Sequence, residues 1–228
     1  MEKLLAGVAK FQSRVFPEGE ELFASLAHGQ SPRALFITCS DSRVLPNLIT
    51  QTEPGELFIV RIMGGIVPAH GAGGGVSATI EYAAAVLRVR HVIVCSHSDC
   101  GVLGLLADPS RMQDLPSVRQ WLVHAEVARR IVVDNHADLD AAAQADLLTR
   151  YHVAAQLANL RTHPAVASRL TAGELQVHGW HYDIAHGEVG ILDEHDGTFH
   201  PAIEEAAANA AESPDEAAPS ATADPLAR

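Results

Sequence analysis

Two hydrophobic periods alternate along this chain. Near the start, Leu4, Leu5, Val8, Phe11 and Val15 fall close to helical spacing, and Pro17 is expected to break the run. A second short helix is predicted from about Glu20 to His28, carrying Leu22, Phe23 and Leu26, with Gly29 as its stop signal. Three compact apolar, β-rich runs follow: ALFIT at 34–38, LFIVRI at 57–62 and HVIVCS at 91–96. A turn at Pro54–Gly55 precedes the second run. A Gly-rich loop over 64–75 and an Ala-rich helix over 76–87 separate it from the third. Further helices are predicted over 117–133 and 139–162, with Pro164 leading into a short helical turn near 166–170. The segment LQVHGWHYDIAHGEVGIL, 175–192, reads as a hairpin turning near His186–Gly187.

Strands alternating with helices imply an α/β fold, a mostly parallel central β-sheet with an antiparallel edge strand, flanked by helices. One domain is expected over 1–204, with 1–30 as an N-terminal helical arm. From residue 205 to 228 the composition becomes acidic, Ala-rich and free of aromatics, which predicts a disordered tail with a helical beginning.

Composition narrows the function. The chain has 228 residues and a formal net charge of -12, which argues against a nucleic-acid partner. No transmembrane segment is expected, because no stretch approaches the roughly 20 apolar residues a spanning helix needs. The N-terminus lacks the apolar core of a signal peptide and reads as part of the mature protein. Three cysteines are too few for a disulfide scaffold. Reduced thiols and a cytoplasmic location are the expectation.

Two of those thiols sit in metal-ligand context. His97 and Cys100, spaced H-x-x-C after a strand, can turn toward one ion from a single tight loop. Cys39 ends another strand, and neighbouring parallel strands lie only about 5 Å apart. Both segments are at carboxyl ends of strands, where ligands bind in such sheets. Three soft ligands with one open position suit a catalytic zinc. Cys95, inside the apolar HVIVC run, reads as a buried small hydrophobe.

CSDSR at 39–43 and HSDCG at 97–101, with 57 residues between the first cysteine and the histidine, resemble the β-class carbonic anhydrases. PGELF at 54–58, SATIEYA at 77–83 and NLRTHP at 159–164 extend the resemblance from about Gln30 to Leu192. It implies a zinc lyase for the reversible hydration of carbon dioxide to bicarbonate and a proton. One zinc per chain would be held by Cys39, His97 and Cys100, and the attack would come from a zinc-bound hydroxide. By the same resemblance Asp41 orients that hydroxide and Arg43 keeps Asp41 ionised and off the metal. In some members the Asp rotates to become a fourth ligand, and the sequence leaves open whether Asp41 does. Gln30 and Gly101 would contact substrate oxygens, while Phe58, Met63 and Tyr82 would wall an apolar carbon dioxide pocket. A homodimer or higher homo-oligomer is implied, with the active site near the dimer interface.

The chain departs from the family pattern at Arg61-Ile62-Met63-Gly64-Gly65, where the family often reads R-N-x-x-N. Both asparagines are missing, and Met63 replaces a smaller residue in the pocket wall. Loop conformation and pocket size therefore fall to the structure. Phe36 stands where bicarbonate-regulated members carry Trp, which points to the constitutively open subtype. The rival readings are hydrolysis of carbon disulfide or carbonyl sulfide on the same zinc site, and a non-catalytic zinc or bicarbonate-binding protein. The Gly71–Gly75 run lacks the G-x-G-x-x-G order of a dinucleotide loop. His70, His178, His181 and His186 read as solvated or structural.

Overall fold

The structure, a computed structural model, describes residues 1–212. The chain divides into a helical unit, Met1–Ser31, and a larger unit beginning at Pro32. In the first unit Pro17 does not end the helical path. The helix Glu2–Lys10 continues through a widened turn, Phe11–Val15, into a short segment, Phe16–Glu18, and the path ends at Gly19. Pro17 sits at the start of that segment, where its missing N–H is no loss. After the helix Glu20–Leu26, the unit is knit by Phe16 stacked on Phe23 at 5.1 Å, with Phe11 edge-on to Phe23 at 5.8 Å.

The larger unit is built on six strands: β1 (Ala34–Thr38), β2 (Leu57–Arg61), β3 (His91–His97), β4 (Gln176–Asp183), β5 (Glu188–Leu192) and β6 (Phe199–Pro201). Their order in the sheet is β2-β1-β3-β4-β5-β6. The first four are parallel, while β5 and β6 run antiparallel at one edge. The predicted single antiparallel edge is thus two strands wide. Three residues ending in a proline gave no period from which β6 could be read. The third apolar run extends one residue further than expected, to His97, which pairs with Tyr182 of β4.

The chain goes from β1 to β2 on one side, then crosses to β3 on the other side of β1. That reversal opens a crevice at the carboxyl ends of β1 and β3. Thr38 pairs with Cys95 there, so the residues after each strand emerge side by side.

One face of the sheet buries Leu35, Ile37, Val92 and Val94 with Val153, Leu157 and Leu160 of the long helix Ala141–Arg161. A second cluster joins Cys39, Ile66 and Cys100 to Leu103, Leu106 and Leu122, beneath the carboxyl-end loops. The stretch 117–133, expected as one helix, is two: Pro116–Leu122 and Glu126–Asn135, joined by a turn at Val123–Ala125. The His124 carbonyl in that turn accepts from Gln156 Nε2 at 3.1 Å, which takes it out of helical use. A helix, Ala202–Glu212, follows β6. The rest of the segment expected to be a disordered tail, 213–228, lies outside the described residues. Among the described residues no helix is long and apolar enough to cross a membrane.

At Gly179 of β4 the long helix lies tight against the sheet. A Cβ there would lie 2.6 Å from Val153 Cγ1, 3.1 Å from Leu157 Cδ1 and 3.2 Å from Leu192 Cβ. Gly179→Ala is therefore expected to lower stability by about 1–3 kcal/mol through overpacking. Adding Val153→Ala should recover part of that loss. Urea denaturation of both single variants and the double variant measures the coupling; strict additivity would refute the assigned contact.

Candidate metal centre

Strand pairing sets the site before any side chain does. Ile62 N–H donates to Thr38 O at 3.0 Å and Ser40 N–H to Ile62 O at 3.2 Å, so the backbone around Cys39 remains in sheet-like register past the end of β1. Arg61, the last residue of β2, donates from Nη2 to Asp41 O at 2.5 Å and from Nε to Cys39 O at 3.4 Å. Sequence reasoning assigned Arg61 no task. Its signal was positional: it pairs with Thr38, the residue before Cys39.

Cys39, His97 and Cys100 converge. One ligand atom from each lies within 4.8 Å of the others, and all three residues are buried. His97 Nδ1 faces Ser98 O at 2.8 Å. A carbonyl only accepts, so Nδ1 carries the proton and the neutral ring keeps its lone pair on Nε2. Ser98 is held in turn by β4: its N–H donates to Tyr182 O at 2.9 Å, and its hydroxyl accepts from Ile184 N–H at 3.0 Å. His97 Nε2 is buried and has no hydrogen-bond partner. An orphaned imidazole lone pair beside two thiols is the donor set of a zinc site. The residues present fit that metal.

The two thiols differ. A hydrogen bond from Cys100 lowers the Cys39 pKa to about 4, against the opposing effect of burial; the N–H groups of Asp41 and Gly64 add to the lowering. Cys100, which keeps the shared proton, is pushed up by Cys39 and by burial. Cys95 is buried as expected, and desolvation raises it to about 12.

Asp41 and Arg43 flank the cluster. Asp41 Oδ1 accepts from the Arg43 backbone N–H at 3.0 Å and from its Nε at 2.9 Å, while Oδ2 accepts from Nη2 at 2.8 Å. These bonds hold the carboxyl well below the usual carboxylate range. Asp41 Oδ2 stands 3.9 Å from His97 Nε2. Arg43 also donates from Nη2 to Asp99 O at 3.0 Å.

The remaining expected site residues are spread more widely. Phe58 and Tyr82 pair at 5.9 Å between ring centroids, with Phe58 resting on the core. Tyr82 is part-exposed, at 41%. Met63 is half-buried, and its carbonyl accepts from Trp121 Nε1 at 2.9 Å. Gly101 follows Cys100 as the exposed first residue of the helix Gly101–Ala107, with open space where a side chain would be. Gln30 is exposed in the helical unit Met1–Ser31. Phe36 is fully buried, edge-on to Trp180 at 5.7 Å.

Where asparagines were missing, Gly64 and Gly65 carry the loop with φ of +73° and +63°. Gly65 occupies the position of the second family asparagine. Left-handed backbone is the conformation that glycine and asparagine share. A second group of possible ligands, Asp193, Asp196 and His200, is exposed, and its carboxylates already accept backbone N–H bonds.

Comparison with known proteins bears on the same segments. A family model described as carbonic anhydrase matches residues 34–189, from the start of β1 into β5. A carbonic anhydrase of Pseudomonas aeruginosa is 52% identical over 194 residues, covering 85% of this chain and 88% of the relative. The solved structure of the β-carbonic anhydrase CcaA superposes with a TM-score of 0.86 at 44% identity, covering 88% of this chain and 98% of that one. Two tetrameric β-carbonic anhydrases from Sordaria macrospora are represented by a structure with a TM-score of 0.76 at 26% identity, covering 84% and 95%. A match running through both converging loops, and a relative identical at half the aligned positions, place this chain in the β-carbonic anhydrase family of enzymes.

Proposed function

We propose that this chain catalyses the reversible hydration of carbon dioxide to bicarbonate and a proton, with one zinc ion held by Cys39, His97 and Cys100. The observation that carries the reading is the buried, unpartnered His97 Nε2 facing two thiols, one of them already strongly acidified. Zinc, when bound, supplies Lewis-acid activation of water, bringing a nucleophile within reach of neutral pH.

The chain's own residues do the rest. Asp41 stays ionised because Arg43 occupies both carboxylate oxygens, and it accepts a hydrogen bond from the attacking oxygen, fixing which lone pair meets the substrate. Arg43 already takes up both oxygens of Asp41, which supports the open form of the site over one closed by a fourth side-chain ligand. Phe58, Met63 and Tyr82 supply apolar surface for a substrate without charge or dipole. Gly101, lacking a side chain, leaves its N–H accessible to the oxyanion of the product. The active unit is a homo-oligomer in the cytoplasm; the tetrameric Sordaria relatives support the assembly.

Two substitutions separate metal binding from chemistry. Cys100→Ser should abolish both zinc retention and activity, by metal analysis of the purified protein and stopped-flow carbon dioxide hydration. Full zinc content in that variant would remove Cys100 from the ligand set.

Asp41→Ala should keep about one zinc per chain while losing on the order of 100-fold or more in kcat/KM, the scale of a lost proton-directing group. Wild-type turnover in Asp41→Ala would show that the carboxylate has no part in the reaction.

A further inference from the structure

Besides that of its neighbour Asp41, the backbone N–H of Gly64, 25 residues downstream, is a donor that helps to lower the Cys39 thiol. The second donor comes from a loop that must be aimed. Gly64 lies in left-handed backbone, φ +73° and ψ 1°, and a Cβ there would press on Ile66 at 3.3 Å. Beside it, Gly65 packs so closely on the end of β1 that a Cβ would lie 3.4 Å from Cys39 N. Glycine is free to rotate, so something else must fix the N–H direction.

The two peptide planes flanking Gly64 are each pinned from outside the loop. The carbonyl of the Met63–Gly64 peptide, whose N–H is that donor, accepts from Trp121 Nε1–H at 2.9 Å. The Gly64–Gly65 peptide is held at its carbonyl by His152 Nε2–H, also at 2.9 Å. His152 is buried in the long helix, and its Nδ1 faces Gln156 Nε2 at 3.4 Å. Gln156 Oε1 in turn accepts from Val67 N–H at 2.8 Å, further along the same loop. With both planes fixed, φ and ψ of Gly64 have no freedom left.

We propose that Trp121 and His152 are positioning residues for the metal thiolate: together they lock the Gly64 N–H onto Cys39 Sγ, and Trp121 strengthens that bond by polarising the peptide it shares with Gly64. This rests on the reading of Cys39 as a zinc ligand. Hydrogen bonds in series across one amide reinforce each other in a low-dielectric interior. Donors to a ligand atom orient it and draw off electron density, which sets how strongly it donates to a metal. Neither residue touches substrate; both act through one backbone amide.

Core packing alone would also make these residues matter, since Trp121 adjoins two apolar clusters. The test therefore reads the sulfur rather than stability. The protein is loaded with cobalt(II), and the thiolate-to-cobalt charge-transfer absorption is recorded for wild type, Trp121→Phe, His152→Leu and His152→Gln. Trp121→Phe retains an aromatic ring and deletes the N–H; His152→Gln retains a donor at a similar reach. Loss of the amide bond raises the energy of the sulfur lone pair, so Trp121→Phe and His152→Leu should shift the band to longer wavelength. Both should also release cobalt to a chelator about tenfold faster. His152→Gln should return both readouts toward wild type. An unmoved band in folded Trp121→Phe overturns the proposal even if His152→Leu fails to fold. A wild-type protein with bound cobalt and no thiolate band would instead overturn the ligand assignment on which the proposal rests.

Discussion

Two buried cysteines beside the same strand pair are driven in opposite directions, and the site depends on that contrast. Cys95 lies in the apolar face of β3, and desolvation pushes it up to about 12. Cys39, one residue beyond the partner strand, is brought down to about 4 although burial opposes this. Burial is common to both, so the difference comes from what each sulfur faces. The Cys95 thiol donates to Ser96 O at 3.3 Å and meets one hydroxyl, that of Thr38, while Cys39 faces a second thiol and two backbone N–H groups. An anionic sulfur survives in a dry interior only where donors are already aimed at it.

That requirement reaches outward through the fold. The parallel pairing of β1 with β3 brings Cys39 beside the strand that carries His97. β4 fixes the His97 tautomer through Ser98. The long helix Ala141–Arg161 anchors the glycine loop through His152, Gln156 and Asn159, the last donating to Val67 O at 2.9 Å. A helix whose apolar residues pack the sheet thus spends several buried polar positions on one loop. Each of those side chains has its partner, which is the condition for tolerating polar groups in a core.

Much of this was legible beforehand, for identifiable reasons. The three parallel strands and the hairpin were read to within a residue because apolar runs of that length, bounded by turn residues, have few alternatives. The three candidate ligands were legible because cysteine and histidine at strand ends form a rare pattern. Pro17 misled because a proline forbids one hydrogen bond, and a widened turn just before it removes the need for that bond. The split near His124 could not be read, since it depends on Gln156, 32 residues away. Arg61, Trp121 and His152 were missed for the same reason. Their tasks are bonds to backbone atoms of distant loops, and a backbone atom has no signature in sequence. The missing asparagines raised a question that φ answers: two left-handed glycines carry the path directly.

Arg43 shows why an exposed ion pair can matter where stability arguments would dismiss it. Its side chain is 42% exposed, and pairs in that setting contribute little to folding. Its geometry is another matter. The guanidinium grips both oxygens of Asp41 and also the carbonyl of Asp99, the residue just before Cys100. One planar group therefore joins the loop that carries Cys39 to the loop that carries Cys100. Asp99 sits in left-handed backbone at φ +51°, so its carbonyl direction is fixed by the turn that presents Cys100. Lysine would keep the charge and lose the fork, because a single ammonium cannot hold two carboxylate oxygens and a carbonyl in fixed directions. The orientation of the carboxylate and the spacing of the two thiols are thus set by the same side chain. This coupling fixes the Asp41 carboxylate relative to Cys39 and Cys100 through a side chain that itself stays largely in solvent.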